Sequence, residues 1–319
     1  MAVLGLDISK AKIHAALRTD EGKVRRKAIP NSPAGFRDLL TWAQRYTTGA
    51  LHACLEATGT YGDGIAVFLH DAGCAVSIVN PAAMRAYAAS QLSRTKTDDE
   101  DAALIAHFAA TQQPPVWTPP APELRVLQAL VRRLDALIEM RTQEVNRLAA
   151  GVVVVEVRTS IETLLANLEA QIAHVRQLIR DHIDRHPDLR QQRDLLTTIP
   201  GIGEATAATL IAELFDKPYT SARQAAAFAG LVPRLRQSGQ WRGRTRLSKI
   251  GPSRWRKALF FPALTALRCN PTIRASAAPL RAAGRPKMVI VGAAMRRLIH
   301  LAFGVLKTGR AYEAQPLHP

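Results

Sequence analysis

The order of apolar runs and turns in the first 113 residues constrains this chain more than any other feature. Ala2–Ile8 is a continuous apolar run of strand length. Lys12–Arg18 and residues 22–28 follow after short turns, and all three read as antiparallel neighbours. Phe36, Leu39, Leu40, Trp42 and Ala43 give residues 33–47 a helical period. Residues 51–55 form a short strand of the buried type, 62–72 a helix, and 73–79 a strand closed by Asn80-Pro81. Helices over Pro81–Ser90 and residues 98–110 complete an α/β unit, the first of them opening on a proline near its N-terminus.

Four carboxylates punctuate this order. Asp7 stands at the end of the first run (VLGLDIS), and Glu56 at the end of the strand in ACLEATGTYG. Asp98 and Asp101 lie three apart in KTDDEDA. Helical residues at i and i+3 share a face, so both can point at the sheet edge where the strand-end acids collect. Converging carboxylates cannot all stay ionised unless cations neutralise them. Hard divalent ions with oxygen ligands are the natural partner, and a pair of Mg²⁺ ions suits phosphoryl transfer. Taken singly, each acid is an ordinary turn or helix-surface residue, and Asp99 and Glu100 crowd the same turn. The conjunction with the strand order favours a metal site.

A proline-rich stretch, Gln113-Pro114-Pro115 and Thr118-Pro119-Pro120-Ala121-Pro122, reads as a stiff linker. Apolar residues then recur at helical spacing over 124–150 and again over 159–186, with a break expected at Gly151 and the β-branched run Val152–Val155. The pair reads as a helical hairpin or coiled coil serving as a dimerisation arm. Residues 195–214 contain Pro200-Gly201-Ile202-Gly203 between helical segments, a helix-hairpin-helix pattern. Gly201 and Gly203 would let backbone N–H groups at the next helix start meet a phosphate without reading sequence, although a plain capped turn has the same residues. The expected division is 1–113, an α/β domain; 114–190, linker and arm; and 191–319, a mostly α-helical C-terminal domain.

The 319-residue chain carries a net charge of +17, and its distribution says more than its sum. Residues 231–319 hold 18 Lys/Arg against one acid, Glu313, whereas the rest balances at 25 against 25. Such a field suits a polyphosphate partner and salt-dependent binding, and nucleic acid is preferred to an anionic membrane. A hydrophobic content of 47% excludes wholesale disorder. The N-terminus enters a strand without a basic leader, and no uninterrupted apolar segment reaches about 18 residues. Cys54, Cys74 and Cys269 lack metal-ligand spacing. A cytoplasmic protein is expected.

In the basic stretch, AGLVPR leads into Leu235-Arg236-Gln237-Ser238-Gly239, then Arg242-Gly243-Arg244, Arg246 and Ser248-Lys249-Ile250-Gly251. A serine among Gly and Arg can be a turn residue, a phosphate-binding hydroxyl or a nucleophile, and local sequence favours the turn residue. The ordered set LGLDISK, CLEATGTYG, KTDDEDA, IPGIGEATA, AAFAGLVPRLRQSG, RGRTRLSKIG and WRKALF resembles the DEDD-type transposases of bacterial insertion sequences. This "IS one-ten" family includes Piv-like DNA invertases and RNA-bridged recombinases, and the match runs from about residue 3 to 310.

The resemblance implies a RuvC-like, ribonuclease H-type first domain, a coiled-coil connection and a C-terminal domain carrying a catalytic serine. Carried over by motif, Asp7, Glu56, Asp98 and Asp101 are the Mg²⁺ site, with two ions possible and Mn²⁺ as a substitute, and Ser238 is the nucleophile. Arg234, Arg236, Arg242, Arg244, Arg246 and Lys249 would contact nucleic acid. The implied partners are donor and target DNA, an element-encoded guide (bridge) RNA, and further copies of the chain in a dimer or tetramer; the implied place is the bacterial nucleoid. The competing expectations are a RuvC-like structure-selective nuclease using metal-activated water, and a non-catalytic nucleic-acid-binding protein.

Overall fold

A computed structural model describes residues 1–314 except 48, 58, 92–96, 152–153, 214–218, 236, 240 and 244–245. The chain divides into two compact units, Met1–Pro119 and Pro120–Pro319. The first is a mixed α/β sheet with helices; the second is mostly helical.

Five strands build the sheet of the first unit: β1 (Ala2–Ile8), β2 (Lys12–Arg18), β3 (Val24–Pro30), β4 (Leu51–Glu56) and β5 (Ala75–Val79). Their order is β3-β2-β1-β4-β5. β1–β2 and β2–β3 are antiparallel, β1–β4 and β4–β5 parallel. Helices α1 (Pro33–Gln44), α2 (Asp63–Asp71), α3 (Pro81–Ser90) and α4 (Asp98–Gln112) follow in chain order. β1 is buried along nearly its whole length, which is why it reads as unbroken apolar sequence rather than alternation. β3 starts two residues later than its sequence suggests, because Gly22 takes φ +81° in the turn and its N–H bonds the Thr19 carbonyl at 2.9 Å.

Two cores lie on opposite faces of the sheet. Leu4, Leu6, Ile13, Leu17 and Leu55 pack against Phe36 and Leu39 of α1 and Ile65 and Leu69 of α2. Val3, Ala16, Cys54 and Val79 pack against Ala102, Ile105, Ala106 and Ala109 of α4. Gly5 makes the second face possible: a Cβ there would lie 2.2 Å from the Ala102 carbonyl oxygen and 2.3 Å from the Ala106 nitrogen. Gly5→Ala is therefore expected to cost about 3 kcal/mol or more, since helix backbone cannot yield as a side chain can. Denaturant unfolding of the full chain checks this, and a cost within about 0.5 kcal/mol would show that α4 does not sit so closely on β1.

The proline-rich stretch is bound to β5 rather than hanging free. Trp117 N–H donates to the Val76 carbonyl at 2.6 Å. The Ser77 hydroxyl faces the carbonyls of Pro114 and Pro115 at 3.1 and 2.9 Å, and the buried His52 Nε2 lies 2.8 Å from the same hydroxyl. Burial holds the His52 imidazole below its ordinary pKa. The segment protects an otherwise open sheet edge.

In the second unit, α5 (Pro122–Ala149) and α6 (Val155–Arg185) form the two long helices, with Gly151 at φ +91° after α5. Then come α7 (Pro187–Thr197), α8 (Glu204–Glu213) and α9 (Ala222–Phe228). Two-residue strands β6 (Pro233–Arg234), β7 (Gln237–Ser238), β8 (Trp241–Arg242) and β9 (Arg246–Leu247) precede α10 (Ser253–Cys269), α11 (Pro271–Ala282) and α12 (Lys287–Thr308). One core joins Leu127, Val131 and Leu137 of α5 and Ile172, Val175 and Ile183 of α6 to Leu210, Leu259, Leu298 and Ile299. α12 is, among the described residues, the one helix long and apolar enough to cross a membrane, with half its most apolar window buried. Its buried face supplies Leu298, Ile299, Ala302 and Val305 to that core.

Candidate active site: an acidic sheet edge and a basic hairpin

Register places the acids. Leu6 of β1 pairs with Leu55 of β4 in the parallel ladder, so Asp7 and Glu56 occupy the next step on adjacent strands. Side chains alternate faces along a strand. Asp7 thus continues the Val3–Gly5 face and Glu56 the Cys54 face, both toward α4. On the helix, buried Ala102, Ile105, Ala106 and Ala109 mark the sheet-facing stripe. Asp98 and Asp101 extend that stripe by one turn at the N-terminus. All four acids therefore face the same end of one layer.

Electrostatics report the proximity of three of them, Asp7, Asp98 and Asp101. Burial pushes the Asp7 carboxyl above its ordinary value, and the charges of Asp101 and Asp98 push it the same way. Cys54 lies beneath, its thiol pushed up to about 12 by burial. Among the described residues, no three His, Cys, Asp or Glu side chains are drawn together tightly enough to hold a metal ion. Mutual repulsion opposes such closure, and oxygen-only donors around a carboxyl of raised pKa are the set that a hard divalent cation would satisfy.

The other two acids of that turn have separate partners. Asp99 Oδ1 lies 2.7 Å from His14 Nδ1, and Glu100 Oε1 accepts from Arg26 Nη2 at 2.6 Å. His14 pairs with Asp7 across β1–β2, and its Nε2 lies 3.5 Å from Asp98 Oδ2. The first turn of α4 is thus shared, Asp101 acting on Asp7, Asp98 on both Asp7 and His14, and Asp99 and Glu100 paired with β2 and β3. The acids also suit the helix dipole, and Thr97 caps the helix through the Glu100 N–H. Sequence reading missed His14; its signal was its place in KIHAALR, on the same face of β2 as Ala16.

Ser238 belongs to the second unit and sits on an element absent from the sequence reading. β6 pairs with β9 and β7 with β8, both antiparallel, with Arg234 opposite Arg246, Gln237 opposite Arg242 and Ser238 opposite Trp241. The four short strands make a ribbon with exposed Ser238 next to Gly239, whose φ of +57° turns the chain. Arg234 and Arg246, both exposed, oppose each other across the ladder. Like charges so placed repel, and an anion between them would relieve it. Arg236 and Arg244 lie outside the described residues. Lys249 is exposed and holds φ +52°.

The ribbon is anchored at its base. Ser248 N–H donates to the Val232 carbonyl at 2.9 Å and Lys249 N–H to the Gly230 carbonyl at 3.1 Å. Arg256 Nη1 donates to the carbonyls of Ala229 and Gly251, each at 3.1 Å. Leu247 lies over Gly292 of α12, where a Cβ would come within 2.9 Å of its Cδ1.

The two turn glycines part company. Gly201, at φ +106°, is packed on α10, where a Cβ would stand 2.7 Å from that of Ala266. Asn270, fully buried, donates to the Pro200 carbonyl at 3.2 Å. Gly203 is exposed with open space beside it, and its carbonyl accepts from Ala207 N–H at 2.9 Å as α8 begins.

Comparison with known proteins agrees with these two regions. A DEDD-type family model described as "Transposase" matches residues 4–157, the span holding all four acids. A second, described as "Transposase IS116/IS110/IS902 family", matches residues 193–278, which include Gly201, Gly203 and Ser238. The chain is 31% identical to the pilin gene-inverting protein of Moraxella bovis over 97% of both chains. It is 23% identical to the 43.6 kDa protein of insertion element IS110 from Streptomyces coelicolor, over 98% of this chain and 95% of that one. A transposase for insertion sequence element IS1328 of Yersinia enterocolitica is 29% identical over 59% of this chain and 62% of its own length. The chain belongs to the IS116/IS110/IS902 transposase family, a family of DNA-recombining enzymes.

Proposed function

We propose that this protein cleaves and rejoins DNA through a covalent phosphoserine intermediate, with the four acids as its metal site. The observation that carries the reading is the alignment of Asp98 and Asp101 with the stripe of α4 that covers the face bearing Asp7 and Glu56. The strand order β3-β2-β1-β4-β5 supports a ribonuclease H-type, RuvC-like domain for it. Asp7, Glu56, Asp98 and Asp101 would hold Mg²⁺, or Mn²⁺ in its place, as one ion or two. The metal, when bound, supplies charge neutralisation at the scissile phosphate and leaving oxygen.

Ser238 Oγ attacks phosphorus, forming a serine–phosphate ester while the bond to the leaving sugar oxygen breaks. The serine proton leaves to solvent or base, and the freed sugar oxygen takes one up. Reversal by a new sugar hydroxyl rejoins the strand without an external energy source. Arg234, Arg242 and Arg246 on the ribbon, with Lys249 at its base, neutralise backbone phosphates; Arg236 and Arg244 share that role in sequence. Gly203 and the first N–H groups of α8 meet a further phosphate, as in a helix-hairpin-helix. The tight seat of Gly201 against α10 gives that glycine a packing role in the same turn.

Exposed Met140, Val145, Val157 and Leu164 on the two long helices suit a coiled-coil arm joining copies in a dimer or tetramer. Donor and target DNA, an element-encoded bridge RNA selecting them, and a cytoplasmic, nucleoid-associated site complete the reading. The invertase name of the Moraxella relative extends the substrate to an invertible DNA segment. The competing reading, a structure-selective nuclease using metal-activated water, leaves Ser238 as a phosphate ligand.

The deciding experiment incubates the protein with labelled element-end DNA, the matching RNA and Mg²⁺, then quenches in denaturant. A labelled DNA–protein band mapping to Ser238 is expected, absent with chelator and in Asp7→Ala. Cleavage without any adduct would assign the chemistry to water.

A further inference from the structure

We propose that the cavity between α7 and α12 holds a single unpaired base of the nucleic-acid partner, with α12 guiding the adjoining backbone. The cavity, of about 510 Å³, is lined by Asp188, Gln191, Gln192, Tyr219, Phe303 and Lys307 among others. That volume falls within the range of small-molecule sites, roughly 300–1,000 Å³. The proposal rests on the reading of the protein as a DNA-recombining enzyme.

The lining fits a nucleobase better than a lipid or a small metabolite. Tyr219 and Phe303 supply aromatic rings, and both are half-buried. Aromatic rings bind any base by stacking, without reading its edge. Gln191 and Gln192 each offer an amide donor and acceptor, so base edges of either polarity find a partner. Lys307 Nζ lies over the Phe303 ring, 5.9 Å from its centroid, and its flexible stem can swing that charge to the phosphate of a base taken up by the cavity.

The rest of the α12 face points the same way. Arg296, His300, Phe303 and Lys307 stand at i, i+4, i+7 and i+11 and form one stripe of the helix. Among the described residues, Arg297 Nε and His300 Nε2 are buried without a hydrogen-bond partner. Burial, with the charges of Arg296, Arg297 and Arg223, holds His300 below its ordinary pKa. Arg223 comes from α9, so two helices bring positive charge to His300, three residues before Phe303 on α12. A phosphodiester running along this stripe of α12 would supply the opposite charge to Arg296 and Arg297.

A structural cavity would behave differently from a base pocket, and a fluorescent adenine analogue placed in single-stranded RNA and DNA separates the two. On the intact protein, the analogue's emission is expected to be quenched on binding. Phe303→Leu should remove that quenching and weaken single-strand binding about 5- to 150-fold, the range for one base–aromatic stack. Lys307→Gln should weaken single-strand binding and flatten its dependence on salt, as the loss of one phosphate contact requires. Neither variant should change affinity for blunt duplex or lower the melting temperature appreciably. Loss with RNA alone, DNA alone or both supports the pocket and names its source. Equal losses for single strand and duplex, or none in either variant, overturn it. If the unaltered protein binds neither strand nor duplex, the recombinase reading fails instead.

Discussion

Ser238→Ala is expected to lower strand joining by about 10⁴-fold or more, the usual scale for deleting a covalent nucleophile. The same substitution should leave folding stability within about 0.5 kcal/mol, because it alters an exposed site. Ser238 lies next to the tight turn of the ribbon, and the groups that anchor the ribbon are elsewhere: Arg256, Leu247 and the backbone of residues 230–232 and 248–249. Single-turnover assays on labelled DNA, paired with calorimetric melting, measure both quantities. The two mechanisms part sharply here. A nuclease using metal-activated water would keep cutting without Ser238, losing only what one phosphate contact contributes, about 1.5–3 kcal/mol as a charge-assisted bond. Residual cleavage within about 150-fold of the original rate would therefore remove the serine from the chemistry.

The acidic edge was legible in sequence because its causes are local and repetitive. β1 is buried on both faces and reads as an unbroken apolar run ending at a carboxylate, and α4 carries its acids and its alanines on one stripe. Strand alternation and helical period are enough to place Asp7, Glu56, Asp98 and Asp101 on one layer. The closeness of that layer depends on Gly5, which no periodicity singles out, because its importance lies in a helix backbone far along the chain. His14 was missed for a related reason: its partners Asp98 and Asp99 are distant in sequence, and a lone histidine in a strand is unremarkable locally.

The basic ribbon shows a different limit. Two-residue strands carry too little apolar alternation to announce themselves, and the sequence there is dominated by Arg, Gly and Ser. What fixes the ribbon is tertiary: Leu247 against Gly292, Arg256 gathering carbonyls, and the positive-φ turns at Gly230 and Gly251. Gly251 shows the constraint most directly, since a Cβ there would lie 2.0 Å from the Phe228 carbonyl oxygen. The proline-rich stretch reads as a stiff linker on composition, and the two units meet within it. Its backbone also finishes a sheet edge, a role that proline sequence neither requires nor forbids. The cavity beside α12 left no local trace at all, because its lining residues are gathered from α7, the segment before α9 and the end of α12.

The acidic edge also makes a prediction in which stability and activity move in opposite directions. Asp7 has an ordinary pKa of 3.8 and is raised in the folded protein, first by burial and then by Asp101 and Asp98. Below 3.8 the carboxyl is protonated in both states and costs nothing. As pH rises through 3.8 the unfolded chain releases its proton before the folded one does, so the folded state loses ground until the folded pKa is passed. Asp7→Asn removes this penalty. In chelator at neutral pH the variant should melt above the original protein, and the gap should shrink as pH falls toward 3.8. Mg²⁺ should reverse the order. A ligand that binds only the folded state adds about 2.7 kcal/mol at 100 times its dissociation constant, and a neutral amide cannot supply the charge that holds the ion. The variant should then be less stable than the original, insensitive to Mg²⁺ and inactive in recombination. Calorimetry in chelator and across a Mg²⁺ titration tests each arm. If Asp7→Asn lowers stability in chelator, Asp7 is held by contacts that outweigh repulsion; if Mg²⁺ leaves the original protein unmoved, the four acids are not its metal site.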